Sequence, residues 1–313
     1  MNTPDDTSLR QMVSLDKGLT VERTRLLSEA DCRLIHEGSC RLLSETGVRV
    51  ESDAAVRIFR EHGAILYKDR IRIPRAMVER AVQQAANTIA LHAKNPDNHI
   101  TIDVNTPAIY FGTGGQALNV LHYENSEFVR KPATTRDLIE IVRICEQMDN
   151  VDFITRPVEP DVSEEEMDLT KTRILREYTS KHMNLANLVQ TDNLPDIIET
   201  VGDPLLISFI ASLTVSPLNL VSPTTDKFLK MVEHDIPVSI SSCPQAGTTA
   251  PLSEIGELVQ VNAEVLSAVV LANLVRSGAR VFYRGIPISA DLYSDGSPRW
   301  CQPESIRRVA LIT

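Results

Sequence analysis

The sequence contains little cysteine, few aromatic residues and no long hydrophobic run. Its five cysteines are odd in number and show neither CxxC nor Cys/His metal-site spacing. We therefore expect no disulfide framework, no bound metal and a reducing compartment. No stretch approaches the ~18 consecutive apolar residues that a membrane span requires. The polar N-terminal segment is also unlike a signal peptide. A cytoplasmic protein without a membrane partner is expected.

Clusters of basic residues are absent as well. The chain has 32 Lys and Arg against 42 Asp and Glu, a formal net charge of −10, and no Lys/Arg run exceeds two residues. Because nucleic-acid phosphates are bound by basic surfaces, no nucleic-acid partner is expected. An acidic protein is compatible with a cationic substrate, but surface carboxylates serve solubility first.

The first third of the chain predicts a small accessory domain. Residues 1–27 read as a polar leader, and residues 28–107 as an N-terminal α+β domain. Ser28 and Asp31 have the spacing of a capping box at a helix start. The glycine-rich segment 112–115 lacks the GxGxxG spacing and is followed by a strand rather than a helix, so a tight turn is predicted there instead of a phosphate loop. A β-hairpin then follows.

Strands alternate with helices through the rest of the chain, residues 108–313. Five strands are predicted at about residues 151, 181, 205, 237 and 279. This alternation is typical of parallel βαβ units, and the predicted fold class is α/β: a (β/α)8 TIM-type barrel. Because a closed barrel has eight strands, about three units are missing from the count. The prediction is therefore a barrel truncated at its C-terminal end.

Reacting groups in parallel α/β folds gather where strands end. That rule selects Thr155, Arg156, Lys181, His182, Ser216, Ser241, Ser242, Cys243, Tyr283, Arg284 and Gly285. Of these, the predicted substrate-binding residues are Arg156, His182, Ser242, Cys243 and Tyr283. Each has a structural alternative: a histidine can satisfy a backbone carbonyl, and a cysteine is most often a small buried hydrophobic residue. No GxSxG elbow surrounds the serine, so a hydrolase nucleophile is not expected.

Two further features bear on a cationic ligand. Phe111 is one of several aromatic residues near predicted strand ends, and aromatic faces attract quaternary ammonium groups. Glu264 falls within an otherwise apolar helix face. It could lie buried near a cation site or be solvated on the helix flank, and the pattern does not decide between the two.

An ordered set of segments resembles the trimethylamine:corrinoid methyltransferase family, including its pyrrolysine-free members that demethylate quaternary amines. The resemblance runs from about residue 25 to the end, and it is the order of the segments that is specific. They are Leu27-Ser-Glu, Thr46-Gly-Val48, Tyr110-Phe-Gly-Thr-Gly-Gly115, Thr134-Thr-Arg-Asp-Leu138, Thr179-Ser-Lys-His182, Ser216-Pro-Leu218, Gly247-Thr-Thr-Ala-Pro-Leu252, Asn262-Ala-Glu264 and Pro303-Glu304.

The resemblance implies methyl transfer from a methylated amine, such as glycine betaine or trimethylamine, to a Co(I) corrinoid (cobalamin) on a separate protein. It adds Glu304 to the candidate substrate-binding residues. The family's pyrrolysine position is not placed within these residues, so the amine stays open. Three alternatives remain. The chain is a truncated, non-catalytic relative, or half of a split barrel that needs a partner chain, or a betaine-binding module of the periplasmic type. A homo-oligomer or a completing chain is the expected protein partner in addition to the corrinoid protein.

Overall fold

The amino-terminal part of the chain forms a small α/β layer. The computed structural model describes residues 19–20, 26–106, 108–300 and 302–312, so most of the predicted leader lies outside the described residues. The predicted capping box is confirmed, because the Ser28 hydroxyl and the Asp31 carboxylate each accept from the other's backbone N–H. The elements are β1 (Leu19–Thr20), α1 (Glu29–Arg41), a π-helical turn (Leu42–Thr46), β2 (Val48–Val50), α2 (Asp53–Glu61), β3 (Ile65–Tyr67), β4 (Arg70–Arg72) and α3 (Arg75–Gln84).

Two antiparallel hairpins connect this layer to the rest of the protein. They are formed by β5 (Thr88–Leu91) with β6 (Ile100–Asp103), and by β8 (Asn119–Glu124) with β9 (Glu127–Pro132); β7 (Ala108–Ile109) lies between them, and α4 (Thr135–Glu146) follows. The second hairpin is confirmed as predicted from the sequence.

The tight turn predicted at residues 112–115 is wrong. Gly112 instead forms a parallel bridge with Phe153, in a segment that runs along the edge of the next sheet. A Cβ on Gly112 would lie 2.2 Å from the Phe153 ring. Glycine is therefore needed for close approach between two chain segments rather than for a turn.

The second half of the chain is built of strands that alternate with helices. The elements are β10 (Phe153–Thr155), α5 (Glu164–Tyr178), β11 (His182–Asn184), α6 (Leu194–Val201), β12 (Ile207–Ala211), β13 (Thr214–Val215), β14 (Asn219–Leu220), α7 (Thr224–Glu233), β15 (Val238–Ser242), β16 (Gln245–Ala246), α8 (Glu254–Val275), β17 (Val281–Gly285), β18 (Ile288–Ala290), β19 (Pro298–Arg299) and α9 (Pro303–Ile312). Strands β10, β11, β12, β15 and β17 form one parallel sheet in that order. The five predicted strands are confirmed, and the fold is mixed α/β.

The two faces of this sheet differ in chemistry. Ser242 and Tyr283 hydrogen-bond to side chains of α8, so they lie on the helix-covered face. Successive side chains alternate between faces, which places Ser239, Ser241 and Arg284 on the opposite face. On the same face, β11 and β12 carry the polar His182, Asn184 and Ser208 together with the apolar Ile210. A sheet core filled only for stability is dominated by branched apolar residues, so this largely polar face indicates a binding surface.

Helix α8 joins the sheet to the amino-terminal layer. It packs against α1, α2 and α3 as well as β15 and β17, and most of its residues are buried. It is long and apolar enough to cross a membrane, but 78% of its apolar stretch is buried inside the protein, as in a core helix. Strand β14 pairs with β2, and one hydrophobic core spans both parts. The predicted domain division at residue 108 stays a prediction.

Candidate functional site

A cavity of about 280 Å³ lies at the carboxyl ends of β12 and β15. We call it the upper cavity. The carboxyl ends of parallel strands are where α/β proteins bind ligands, because the loops that follow the strands converge there. The buried hydroxyl oxygen of Thr214 has no hydrogen-bond partner among the described residues, although it belongs to the cavity wall. The wall consists of Ser212, Thr214, Val215, Ser216, Ser241, Cys243, Gln245 and Thr249.

The carboxylate of Glu264 lies behind this wall and is fully buried. Its Oε2 accepts from the hydroxyls of Ser216, at 2.8 Å, and Ser242. Its Oε1 accepts from the backbone N–H of Leu218 at 2.9 Å and from the Gln260 amide at 3.0 Å. Four donors therefore satisfy the carboxylate, and they come from the loop after β12, the end of β15 and α8 itself. Glu264 is therefore buried rather than solvated on the helix flank, and a cation site beside it stays a prediction.

Cys243 lies in the wall as a protonated thiol. Burial raises the pKa of Cys243 to about 11, the Arg284 guanidinium lowers it, and the carboxylates of Glu257 and Glu264 raise it further. A thiolate is the nucleophilic form, so the raised pKa favours a wall residue over a nucleophile.

Arg284 lies beside the upper cavity on the same sheet face. It is the register partner of Ser241 on the neighbouring strand, and directly opposed Cβ atoms lie about 5 Å apart. No carboxylate lies within 4 Å of its guanidinium in the part of the chain that the structure describes. An arginine free of an acidic partner beside a cavity is suited to bind an anionic group.

A second cavity, of about 160 Å³, lies at the amino ends of the same strands. We call it the lower cavity. His182 lies at the start of β11, not at its carboxyl end as the sequence predicted. The lining consists of Leu91, Ile100, Ile102, Tyr110, Phe153, His182, Asn184, Ser208, Phe209, Ser239 and Phe282.

The tautomer of His182 is fixed by its contacts. Nδ1 lies 2.8 Å from the carbonyl oxygen of His92, and Nε2 lies 2.8 Å from the hydroxyl of Ser208. Because a carbonyl only accepts, Nδ1 carries the hydrogen and Nε2 accepts from the serine. Burial lowers the pKa of His182 to about 4, so the ring is neutral near pH 7 and adds no positive charge to the lower cavity.

Arg156, another predicted site residue, is buried at the end of β10. Its guanidinium donates to Glu159 Oε1 at 2.9 Å and also to the side chain of Gln116. Its Nη1 lies 2.8 Å from Glu159 Oε2, while the buried Nε has no hydrogen-bond partner among the described residues. The guanidinium thus holds the loop after β10.

A buried ion pair in α5 holds the next loop. Lys171 Nζ lies 2.6 Å from Asp168 Oδ1, and both side chains are fully buried. Asp168 also accepts from the backbone N–H groups of Val189 and Gln190, while Lys171 donates to the carbonyl of Asn187. Burial lowers the pKa of Lys171 to about 8, against the opposing effect of Asp168. The pair fixes the loop that follows β11.

Ser242, Tyr283 and Phe111 are not among the residues that line either cavity. The Ser242 hydroxyl bonds to Glu264, and the Tyr283 hydroxyl donates to Asn262 of α8 at 3.1 Å. Phe111 is half exposed, and its neighbour Tyr110 lines the lower cavity instead. Glu304 lies in α9, and its side chain is outside the described part of the structure. Of the seven predicted residues, Cys243 lines the upper cavity and His182 the lower one.

Sequence reasoning did not identify Arg284 as unpaired, nor Asp168 and Lys171 as a buried pair. The i,i+3 spacing of Asp168 and Lys171 within a charged helix is typical of an exposed pair. Their burial depends on the loop packed over them. No group of three or more potential metal ligands from His, Cys, Asp and Glu comes together within the described residues.

Comparison with known proteins gives a consistent result. A family model described as trimethylamine methyltransferase (MTTB) matches residues 7–313. The trimethylamine methyltransferase MttB of Desulfitobacterium hafniense is 28% identical over 251 residues, which cover 77% of this chain and 50% of that protein. MttB of Methanosarcina barkeri is 26% identical over 255 residues, covering 77% and 51%.

A relative with a different named substrate matches the same extent. The proline betaine:corrinoid methyltransferase of Eubacterium limosum is 24% identical over 253 residues, covering 75% of this chain and 50% of that protein. The chain thus spans about half the length of the curated relatives it matches. The monomethylamine methyltransferase of Methanosarcina barkeri superposes with a TM-score of 0.44 at 10% identity, over 86% of this chain and 62% of that one. This structural likeness is too distant to inform the fold.

Proposed function

This chain belongs to the trimethylamine methyltransferase family, and we propose that it transfers a methyl group from a methylated amine to a Co(I) corrinoid carried by a separate protein. The observation that carries the proposal is the family match, which covers residues 7–313. The relatives named as trimethylamine and proline betaine methyltransferases support the same reaction class. The non-catalytic alternative has no comparable support.

The reaction balances without a base when the amine is quaternary. The N–CH3 bond breaks and its electron pair stays on nitrogen, which leaves as a neutral tertiary amine. The corrinoid, as co-substrate, supplies the electron pair that forms the new bond to the methyl carbon. The tasks left to this chain are to bind the cation, remove its water and aim one methyl group outward.

We propose the upper cavity as the place where the amine binds. It lies where the loops after β12 and β15 converge, it is walled largely by hydroxyl groups, and its volume of about 280 Å³ accommodates a small methylated amine. Cys243 contributes to the wall as a neutral thiol. His182 and the aromatic residues of the lower cavity lie deeper, behind Ser239 on the same face. We propose that they support the floor.

Arg284 favours a carboxylate-bearing amine, such as glycine betaine, over trimethylamine. Its guanidinium has no acidic partner among the described residues, its backbone pairs with that of Ser241, and its charge acts on Cys243 of the upper cavity. A carboxylate can form two parallel hydrogen bonds with a guanidinium. Trimethylamine offers no such group and is the second candidate.

Three wider features belong to the same proposal. The five parallel strands are part of a TIM-type barrel, the methyl group passes to the partner at the carboxyl ends of these strands, and the protein acts in the cytoplasm.

The test is methyl transfer to free cob(I)alamin, followed by the loss of its absorbance. Glycine betaine, proline betaine and trimethylamine are compared as donors at equal concentration. The proposal expects transfer from at least one of them, with a betaine preferred. Absence of transfer from all three, by a folded protein supplied with either cob(I)alamin or a corrinoid protein, would contradict it.

A further inference from the structure

We infer that Glu264 makes the upper cavity selective for a cationic ligand by fixing the orientation of hydroxyl groups in and behind its wall. The inference rests on the proposed function in one respect, namely that the ligand is a methylated ammonium compound. Glu264 does not touch the ligand. It acts as a positioning residue through Ser216 and Ser242.

The geometry of the hydroxyl groups carries the first step. Ser216 belongs to the cavity wall, and its hydroxyl hydrogen points to Glu264 Oε2 at an oxygen–oxygen distance of 2.8 Å. A hydroxyl has one hydrogen and two lone pairs. With its hydrogen committed to the carboxylate, Ser216 can offer only lone pairs to the cavity, and these attract positive charge.

The connections of Gln260 carry the second step. Its amide nitrogen donates to Glu264 Oε1 at 3.0 Å and to the carbonyl oxygen of Thr249, another wall residue, at 2.9 Å. The backbone of Leu218, beyond Ser216, is held by the same carboxylate. One buried carboxylate therefore fixes the wall segments that follow β12 and β15.

The charge of Glu264 carries the third step. No Lys, Arg or His side chain within the described residues forms an ion pair with it; the carboxylate is held by four neutral donors. Neutral donors stabilise a carboxylate without cancelling its field as a counter-ion would. The field reaches the cavity wall, because Glu264 is among the groups that raise the pKa of Cys243, although the Arg284 guanidinium acts on that thiol in the opposite sense and more strongly. Beside Ser216 the field of Glu264 favours a cation, whereas Arg284 favours the carboxylate of a betaine.

The substitution Glu264→Gln removes the negative charge of this side chain and keeps its shape. The amide oxygen can keep the hydrogen bonds from Leu218 and Gln260. The amide nitrogen replaces Oε2, so it must donate, and the Ser216 hydroxyl has to turn its hydrogen toward the cavity. The variant therefore reverses the dipole of the Ser216 hydroxyl at the cavity wall, and the volume of the side chain at position 264 hardly changes.

The control variant is Glu146→Gln. Glu146 also accepts from two hydroxyls and a backbone N–H, those of Thr179 and Ser180. It is the last residue of α4, contacts the segment that precedes β11, and is not part of the upper cavity wall. Both variants are first compared with the wild type by thermal unfolding and near-UV circular dichroism.

Binding of two probes is then measured by calorimetry. Glycine betaine carries a trimethylammonium group, and 3,3-dimethylbutanoate has the same shape with carbon in place of nitrogen and no positive charge. We expect Glu264→Gln to weaken the binding of glycine betaine on the order of ten-fold. The binding of 3,3-dimethylbutanoate should be unchanged or tighter. Glu146→Gln changes neither. Equal weakening of both probes would reduce Glu264 to a structural role and overturn the inference, as would failure of glycine betaine to bind the wild type.

A wild-type measurement guards against a variant that does not fold. The pH dependence of Cys243 alkylation is followed by peptide mass spectrometry with and without tetramethylammonium. Binding of the cation in the upper cavity lowers the Cys243 pKa, and an unchanged profile at saturating cation counts against the inference. Cation-selective binding without methyl transfer would refute the proposed function alone, whereas transfer with an unselective cavity would refute only the role of Glu264.

Discussion

The buried pair of Lys171 and Asp168 gives the sharpest test of how the fold holds its loops. Lys171→Met removes the cation and leaves a fully buried carboxylate with neutral donors only, two backbone N–H groups and the Asn193 amide at 3.5 Å. Breaking one partner of a buried pair costs about 3 kcal/mol or more. The matched control is Lys230→Met, because Lys230 and Glu233 form a pair of similar spacing at 2.7 Å that is about half exposed. Its loss costs about 0.5 kcal/mol.

The same variant tests the pKa of Lys171. Burial lowers that pKa from 10.5 to about 8, so between these values the unfolded chain binds more protons than the folded one. Stability contributed by this site therefore rises with pH through that window. The wild type gains about 1.4 kcal/mol per pH unit relative to Lys171→Met, and about 3 kcal/mol over the whole window.

The assay is urea unfolding of wild type and both variants at pH 7, 8, 9 and 10. A difference between wild type and Lys171→Met that stays constant from pH 7 to 10 would refute the lowered pKa. A loss at pH 7 no larger than that of Lys230→Met would refute the claim that the pair fixes the loop after β11.

Two further predictions concern the cavities. The pKa of His182 is lowered from 6.5 to about 4, so the stability that depends on its neutral form falls as pH drops from 6.5 towards 4. Acid unfolding of His182→Gln should lose about 1.4 kcal/mol per pH unit of that dependence, and an unchanged slope would contradict a buried neutral ring. Arg284→Met should weaken glycine betaine binding at least ten-fold and leave tetramethylammonium unaffected. The control is Arg280→Met, since Arg280 pairs with Asp235 at the other end of β17. Equal effects on the two ligands, or a similar loss in the control, would refute carboxylate binding by Arg284.

Elements whose cause is local in sequence were predictable. The capping box at Ser28 and the five-strand alternation depend on neighbours a few residues apart, and both were found where expected. The end of β11, in contrast, was not predictable from the sequence. The strand stops at Asn184, whose side chain accepts from the backbone N–H of Ala186, a residue with φ of 55°. The strand therefore continues two residues beyond the predicted end at His182, and His182 lies at its amino end.

In the candidate site too, features with a local cause were predictable and features that depend on distant contacts were not. Placement at strand ends selected Cys243, because the end of β15 was predicted within a residue or two. The role of Glu264 depends on Ser216, which lies 48 residues earlier in the chain. A pattern within one helix shows only that a glutamate interrupts an apolar face. Whether four donors meet it is decided by tertiary contacts, which one sequence does not reveal.

The central claim is methyl transfer from an ammonium nitrogen, and a labelled methyl group tests it most directly. The chain is incubated with glycine betaine bearing deuterated N-methyl groups and with cob(I)alamin, and both products are quantified by mass spectrometry. We expect one deuterated methyl group on cobalt for each dimethylglycine formed, and none when 3,3-dimethylbutanoate replaces the betaine. A protein that binds glycine betaine yet delivers no labelled methyl to cobalt, under conditions where the wild type is folded, would contradict the account.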